Sequence, residues 1–207
     1  MNTNFIYTIS KPTNQKRDKH PAIFIMHGMG SNENDLPGIV QELKDDYLIF
    51  SLRGPISQPP GYAFFTIERI GLPHQEPFER VLQEIQDFIE EAKREFAIDE
   101  KGIYLLGFSQ GAILSQSLAN IMGNRLAGIV ALSGYLPEIV ETMNHQPMTG
   151  LRVFIAHGEQ DHIIPFSWSE KSKQHFEGKG AEVTYHTYTG GHFITQEVVN
   201  HIMNYFK

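Results

Sequence analysis

The chain contains no cysteine among its 207 residues. This absence excludes a disulfide framework, a thiolate metal site and a thiol nucleophile, so covalent catalysis would need oxygen or nitrogen. The sequence also lacks apolar runs that approach the roughly 20 residues of a membrane-spanning helix. The first 20 residues lack the basic and then apolar order of a signal peptide. These absences predict a cytoplasmic protein without stable membrane association.

Basic residues are few as well. The chain has 17 Lys and Arg against 24 Asp and Glu, which gives a net charge of −7. Nucleic-acid binding needs a concentration of Lys and Arg that no segment shows, so we expect no nucleic-acid partner. With 41% apolar residues, the length fits a single domain over residues 1–207 that can bury a two-sided sheet.

Short apolar runs alternate with helix-like segments along most of the chain. This order predicts an α/β fold, with a mostly parallel central sheet, helices on both faces and a minimal cap. The predicted strands are Ile23–Met26, Tyr47–Leu52, Ile103–Leu106, Gly128–Leu132, Arg152–Ala156 and Val183–Thr187, and residues 1–10 also alternate as a strand. The predicted helices follow Pro77, Ser109 and Ser167, and a last one includes Ile194 to Tyr205. Gly54–Pro77 and Tyr135–Gly150 are predicted to be long irregular connections.

The segment Gly107-Phe108-Ser109-Gln110-Gly111 lies between an apolar strand and a helix-like run. This order is typical of a nucleophile elbow, a sharp turn that offers a serine to solvent. Side chains at the two glycine positions would collide with the strand and the helix. The pattern predicts that Ser109 is a nucleophile.

A serine nucleophile needs a histidine base and a carboxylate to orient that base. With a nucleophile elbow, both should follow the serine, the acid first. His192 lies in a loop after Gly190-Gly191 and directly before a helix, so it is the predicted base. Asp161 follows a strand and precedes an apolar segment that can bury it, and is therefore preferred to the neighbouring Glu159. Glu138 is the reserve candidate.

Fixed donors must meet the negative charge that develops on a carbonyl oxygen. The main-chain amide of Gln110, just after the nucleophile, is one candidate. The other is the amide of Met29, which has a glycine on each side. His27 ends a strand beside this segment and is expected to be a structural hydrogen-bond partner.

With these residues in place, the chain resembles the phospholipase/carboxylesterase family of α/β-hydrolases. The resemblance covers nearly the whole chain and rests on motifs that occur in the family's order. These are His27-Gly28-Met29-Gly30-Ser31-Asn32, Arg53-Gly54-Pro55, Gly107 to Gly111, His157-Gly158 with Asp161 and Ile164-Pro165, and Gly190-Gly191-His192. The resemblance implies a Ser109, Asp161 and His192 triad, with an oxyanion hole formed by the amides of Met29 and Gln110.

The chain departs from the family pattern at two places. Ala112 stands where a second glycine often follows the elbow, and a helix should tolerate its methyl group. Phe64-Phe65-Thr66 stands where thioesterase-like members have tryptophan, phenylalanine and aspartate, which favours the bacterial esterase branch. Tyr62, Phe64 and Phe65 are candidates to line an apolar substrate pocket, or equally to pack a loop onto the core.

We therefore expect a carboxylesterase-type serine hydrolase that acts on small to medium apolar esters. A thioesterase or lysophospholipase for long acyl chains is the first alternative, and a non-catalytic binding protein is the second. A role with quinone-like electrophiles is a third alternative that no residue supports. HExxH is absent and no closely spaced set of histidines and carboxylates is recognised, so neither a metal nor an organic cofactor is expected. Apolar loop residues permit a homodimer without requiring one.

Overall fold

The computed structural model of the protein describes residues 3–14, 17–143 and 145–207. Its central sheet has seven strands in the order β1-β3-β2-β8-β9-β10-β11. These strands are β1 (Tyr7–Ser10), β2 (His20–Met26), β3 (Leu48–Leu52), β8 (Ile98–Phe108), β9 (Gly128–Leu132), β10 (Arg152–Gly158) and β11 (Glu182–Tyr188). Strand β1 pairs antiparallel with β3, and the other pairs are parallel.

Helices cover both faces of this sheet. They are α1 (Gln75–Glu95), α2 (Gln110–Met122), α3 (Glu138–Glu141), α4 (Phe166–Gly178) and α5 (Gln196–Phe206), with 3₁₀ turns at Pro37–Leu43 and Gly123–Arg125. One core cluster joins the sheet to α1, α2 and α4, and a second joins its other face to α5 and the Pro37–Leu43 turn. The expected parallel sheet with helices on both faces is therefore confirmed. No helix in the described ranges is long and apolar enough to cross a membrane.

The connections of the strands determine where a ligand can bind. From β2 the chain moves outward to β3, and α1 then returns it across β2 to β8. Strands β2 and β8 are thus neighbours whose following connections leave in opposite directions. Open α/β sheets bind ligands at the carboxyl ends of such a strand pair, because the diverging loops leave a crevice there.

Several predicted boundaries differ from the structure. Helix α1 begins at Gln75, so Pro77 lies in its first turn, where the missing N–H costs no helical hydrogen bond. Helix α5 begins after Thr195, whose Oγ1 accepts a hydrogen bond from the Val198 amide at 3.2 Å, so Ile194 precedes the helix. The predicted N-terminal strand is shorter, at Tyr7–Ser10, and Met1 and Asn2 lie outside the described residues.

The expectation that Gly54–Pro77 is irregular is wrong. This segment forms two short antiparallel hairpins, β4 (Ile56–Gln58) with β5 (Gly61–Ala63) and β6 (Ile67–Arg69) with β7 (Leu72–Pro73). Strands of two or three residues are too short to show a periodic pattern, which explains why the sequence did not reveal them. The second connection, Tyr135–Gly150, contains α3, and its Asn144 lies outside the described residues.

Candidate active site

Ser109 lies at the tip of a sharp turn between β8 and α2. Its backbone angles are φ 53° and ψ −114°, in a region that residues with side chains rarely adopt. A Cβ at Gly107 would lie 2.1 Å from the Gly111 carbonyl group, and one at Gly111 would lie 1.9 Å from the Met26 oxygen. Only glycine fits at these two positions, so the spacing of the motif follows from how closely the turn packs against β2.

Three loops bring the predicted serine, histidine and aspartate together. The Ser109 hydroxyl lies 2.8 Å from Nε2 of His192, and Nδ1 of His192 lies 2.7 Å from Oδ2 of Asp161. These loops follow β8, β11 and β10 at the carboxyl end of the sheet. The two distances permit a continuous path of hydrogen bonds from the hydroxyl to the carboxylate.

Asp161 is buried and accepts hydrogen bonds at both carboxylate oxygens. Oδ1 accepts from the amides of Ile163 and Ile164 at 2.8 and 3.0 Å, while Oδ2 faces His192. Burial alone would raise the pKa of Asp161, but the hydrogen bonds from His192 and the two amides outweigh it and lower this pKa. The aspartate is therefore an anion at neutral pH.

The other two carboxylate candidates lie elsewhere. Glu159 is exposed and accepts a hydrogen bond from the Thr187 hydroxyl at 2.9 Å. Glu138 is the first residue of α3 and is exposed. The structure thus brings Asp161, and neither alternative, to His192.

His157 is a second imidazole beside Asp161, and only its place in a motif was recognised in the sequence. It is fully buried, with Nε2 3.1 Å from the Ile164 oxygen and 3.2 Å from Oδ2 of Asp161. Burial lowers the pKa of His157 despite these two acceptors, so the ring is neutral and Nε2–H faces them. His157 therefore helps to position the carboxylate without reaching Ser109. Its place four residues before Asp161, at the end of a strand, is the signal that could have found it.

The loop of His192 is held by packing and by a tyrosine. A Cβ at Gly158 would lie 2.4 Å from the carbonyl oxygens of Gly190 and Gly191. Residue 158 must therefore be glycine for the loop to pack this closely. The Tyr188 hydroxyl donates a hydrogen bond to the carbonyl oxygen of Phe193, directly after His192. Tyr188 was predicted to lie beyond the last strand, and no sequence signal indicated this contact.

The two amides expected to meet a substrate oxygen belong to segments that lie close to Ser109. Gln110 is the first residue of α2, where backbone N–H groups have no acceptor within the helix. Met29 follows Gly28, at which a Cβ would lie 3.5 Å from Cβ of Ser109, so this segment passes close to the nucleophile candidate. Gly30 has φ +82°, which explains why a glycine follows Met29.

The side chain of Gln110 has a second role that the sequence did not indicate. It is buried, its Oε1 accepts from the Phe64 amide at 2.6 Å, and its Nε2 donates to the Phe65 oxygen at 2.8 Å. The side-chain amide thereby forms the two hydrogen bonds that the backbone of a neighbouring strand would otherwise form with this loop. Phe64 and Phe65 are 1% and 0% exposed, and the Phe65 ring packs on Phe78 at 4.9 Å. Their expected place in a substrate pocket is thus corrected to a packing role.

Two polar contacts fix the loops that follow β2 and β3. His27 is buried, donates from Nδ1 to the Gly28 oxygen at 2.7 Å and accepts at Nε2 from the Gly54 amide at 3.0 Å. Burial lowers the pKa of His27, which agrees with a neutral ring. It is thus the hydrogen-bond partner that the sequence predicted.

An ion pair between the buried Glu33 and the partly exposed Arg53 lies near His27. Nε of Arg53 donates to Oε2 of Glu33 at 2.6 Å, and the guanidinium stacks 4.6 Å from the ring centre of Tyr62. The hydrogen bond from Arg53 lowers the pKa of Glu33. Tyr62 is half-buried and its main chain bonds to Gly30 and Ser31, so it supports the segment that holds Met29. Glu33 was not singled out in the sequence, because an isolated glutamate carries no pattern.

A cavity of about 640 Å³ opens at the same end of the sheet. Its apolar lining comes from the β6–β7 hairpin and from the segments after β9 and β10: Ile70, Leu72, Tyr135, Leu136 and Trp168. The Tyr135 hydroxyl accepts a hydrogen bond from the Gly71 amide at 3.1 Å, and burial raises its pKa to about 12. The hairpin is therefore bound to the segment after β9.

The expectation that no metal is bound stays a prediction, but the fold brings together one set of side chains that could hold an ion. His186, Glu197 and His201 form a closely spaced set, with potential ligand atoms all within 4.8 Å of one another. The sequence signal was available, since Glu197 and His201 are four residues apart and share a face of one helix.

Comparisons with known proteins extend the resemblance found in the sequence. The sequence profile of the family described as Phospholipase/Carboxylesterase matches residues 9–207. The chain is 24% identical to the putative hydrolase MhqD of Bacillus subtilis, over 93% of this chain and 96% of that protein. It is 26% identical to acyl-protein thioesterase 1 of Candida albicans, over 98% and 97% of the two chains.

Solved structures agree with this result. The carboxylesterase of Bacillus cereus superposes with a TM-score of 0.89 at 27% identity, over 99% of this chain and 94% of that one. The esterase PE8 superposes with a TM-score of 0.85 at 22% identity, over 98% and 97%, and supports the fold alone. The chain belongs to the phospholipase/carboxylesterase family of hydrolases and has the α/β-hydrolase fold.

Proposed function

We propose that the protein is a serine hydrolase that cleaves carboxylic esters through an acyl-enzyme intermediate. The observation that carries this proposal is the path of hydrogen bonds from Ser109 through His192 to Asp161, with distances of 2.8 and 2.7 Å. A serine hydroxyl alone is a weak nucleophile at neutral pH, and this arrangement supplies the base that activates it.

In the first half-reaction, Oγ of Ser109 attacks the acyl carbon and Nε2 of His192 takes the hydroxyl proton. The carbonyl oxygen gains negative charge, which the amides of Met29 and Gln110 stabilise. His192 then gives its proton to the leaving alkoxide. Asp161 stabilises the imidazolium and keeps Nδ1 protonated, so that Nε2 faces Ser109.

In the second half-reaction, water takes the place of the alcohol. His192 removes a proton from this water, whose oxygen attacks the acyl carbon of the ester on Ser109. The tetrahedral intermediate collapses, the bond to Oγ breaks, and His192 returns the proton to Ser109. The reaction consumes one water and releases one acid and one alcohol, and it requires neither a metal nor a cofactor.

The surroundings of Ser109 favour an apolar small-molecule ester of small to medium size. Three large apolar side chains at or near residues of the proposed mechanism are exposed to solvent. They are Met29, Ile163 and Phe193, which are 42%, 53% and 53% exposed. A cavity of about 640 Å³ lies within the range of small-molecule sites. Its lining residues do not include Ser109, Asp161 or His192, and we assign it to one side of the substrate, in place of the pocket expected at Phe64 and Phe65.

Hydrolysis of p-nitrophenyl esters from acetate to palmitate tests this proposal. We expect wild type to prefer short and medium chains, and Ser109→Ala to reduce kcat/KM by a factor of about 10⁴ or more. Ser133→Ala is a matched control, because Ser133 directly follows the adjacent strand β9 and also has a positive φ, of 50°. It should retain activity within a few-fold of wild type. Full activity in Ser109→Ala would refute the mechanism.

The same ester series decides the substrate class. A thioesterase for long chains is the second candidate, favoured by the similarity to acyl-protein thioesterase 1 of Candida albicans. It predicts that kcat/KM rises with chain length up to palmitate, since each buried methylene contributes about 0.8 kcal/mol. It also predicts a higher kcat/KM for thioesters than for the matching esters.

Trp168→Ala should reduce hydrolysis of medium chains more than that of acetate if the cavity binds substrate. An equal reduction for all chain lengths would contradict that assignment.

A further inference from the structure

A second cluster of functional side chains lies on the α5 side of the sheet, apart from Ser109. His186 belongs to β11, and Glu197 and His201 lie one turn apart on α5. Their potential ligand atoms are all within 4.8 Å of one another. Two imidazoles and one carboxylate that converge from a strand and a helix are the donor set of many zinc sites.

The distances in this cluster suit a metal better than direct hydrogen bonds. Oε1 of Glu197 lies 3.6 Å from Nε2 of His186 and 3.9 Å from Nε2 of His201. Both distances exceed the hydrogen-bond range. Ligands bound tetrahedrally to Zn²⁺ at 2.0–2.2 Å are separated by about 3.4 Å, so side-chain movements that bring the ligand atoms closer by at most about 1.4 Å would close the site.

The ring nitrogen of His186 is the strongest sign of a ligand. Nε2 is buried and, within the described ranges, has no hydrogen-bond partner. A buried polar atom without a partner is costly, and native structures rarely keep one without a reason. Burial, together with the neighbouring His201, lowers the pKa of His186, which favours the neutral ring that a metal requires.

We propose that His186, Glu197 and His201 form a binding site for a Zn²⁺ ion, with water as the fourth ligand. Imidazole nitrogens favour zinc over the hard cations Mg²⁺ and Ca²⁺, which prefer sets made of oxygen alone. This site is distinct from the proposed hydrolase mechanism, and its existence does not depend on that mechanism.

The position of the site gives the ion a structural effect. His186 precedes and Glu197 follows the loop that carries His192, so a shared ion would join β11 to α5 across both ends of that loop. A ligand that binds only the folded state stabilises it, and one that bridges two elements restricts the opening of the segment between them. Zinc would therefore hold the loop of His192 against the sheet.

Calorimetric titration of the chelator-treated protein with zinc chloride tests the site. We expect wild type to bind one zinc per chain, and Glu197→Gln and His201→Ala to weaken binding at least tenfold. The side chains of Glu197 and His201 are 66% and 44% exposed, so these variants should fold. His145→Ala is the matched control, because His145 is exposed and contacts Lys179, beyond the end of α4 on the opposite face of the sheet. It should bind zinc as wild type does.

A second measurement reports on the loop without any assay of hydrolysis. Zinc should slow hydrogen exchange of the amides in residues 189–195 and raise Tm in wild type and His145→Ala, and should do neither in His201→Ala. Failure of wild type to bind zinc at 100 µM, or equal affinity in wild type and both site variants, would overturn the proposal. Binding at the site with unchanged exchange in the loop would overturn its stabilising role.

Discussion

The turn that carries Ser109 and the loops that carry Asp161 and His192 are positioned in different ways. The serine is positioned by one continuous segment, whose glycines allow the backbone of α2 to lie against β2. The aspartate and the histidine lie on two loops that their own hydrogen bond joins across 31 residues of sequence, and each loop is held by a further contact, His157 with Asp161 and Tyr188 with Phe193. The first arrangement depends on backbone space, whereas the second depends mainly on individual hydrogen bonds. Substitutions should therefore have different consequences in the two regions.

The largest effect is expected for Gly111→Ala, because its new Cβ would lie 1.9 Å from the Met26 oxygen and backbone cannot easily yield. We expect a loss of at least about 3 kcal/mol in the free energy of unfolding, measured by urea denaturation, together with loss of activity. Gly191→Ala in the histidine loop is the control, since its nearest heavy atom would be 3.7 Å away. Equal destabilisation by both variants would show that backbone space limits both regions alike.

Asp161→Asn tests whether hydrogen bonding governs the other region. It should leave the fold intact and reduce kcat by a factor of about 10³ or more, because an amide does not stabilise the imidazolium or select its tautomer. Ester hydrolysis and circular dichroism measure the two results. Retention of more than a tenth of wild-type kcat would contradict the proposed role of Asp161.

The same variant makes a prediction about pH. Since the native pKa of Asp161 lies below its ordinary value of 3.8, the carboxylate stabilises the fold above that value, and this contribution is lost as pH falls through the native pKa. Urea denaturation at a series of acidic pH values should show a shallower loss of stability in Asp161→Asn than in wild type. Parallel curves would mean that the carboxylate has the same pKa in the folded and unfolded chains.

The smallest effect is expected for Tyr188→Phe, which removes the hydrogen bond to the carbonyl oxygen of Phe193 and a longer one, of 3.5 Å, with Oγ of Ser133. The cost should be about 1 kcal/mol, seen as a three- to tenfold reduction in kcat/KM if the loop of His192 becomes less well positioned. Tyr185→Phe removes a hydroxyl that lies 2.8 Å from Oγ of Ser169, and should leave activity unchanged. If the two variants have the same activity, the Tyr188 hydroxyl does not position His192.

The contrast between the two regions also explains what could be predicted from the sequence. Ser109 was predictable because a strand, two glycines and a helix within a few residues determine the turn. Strand β9 has the predicted bounds, since its apolar run is short and clearly delimited. Asp161 and His192 were predictable from chain order, yet the contacts of His157 and Tyr188 were not, because both form across irregular turns whose conformation no periodic pattern specifies.

The aromatic residues of the loop after β5 illustrate the same limit. Phe64 and Phe65 could line a pocket or pack a core according to their sequence alone, and the buried Gln110 side chain decides between these alternatives. Likewise, His186 meets Glu197 and His201 only because α5 packs beside β11. A local sequence pattern cannot specify such pairings, since each depends on how distant segments pack.

The tautomer of His27 has a consequence for acid solutions. Its Nε2 uses a lone pair to accept the Gly54 amide proton, so a proton gained at that nitrogen would leave two hydrogens facing each other. Because its native pKa lies below 6.5, the unfolded chain binds this proton first as pH falls, and the fold is progressively destabilised below that value. Mild acidification therefore acts on the junction between the loops after β2 and β3, near the amide of Met29. A histidine outside the proposed triad thus contributes to the loss of stability in acid.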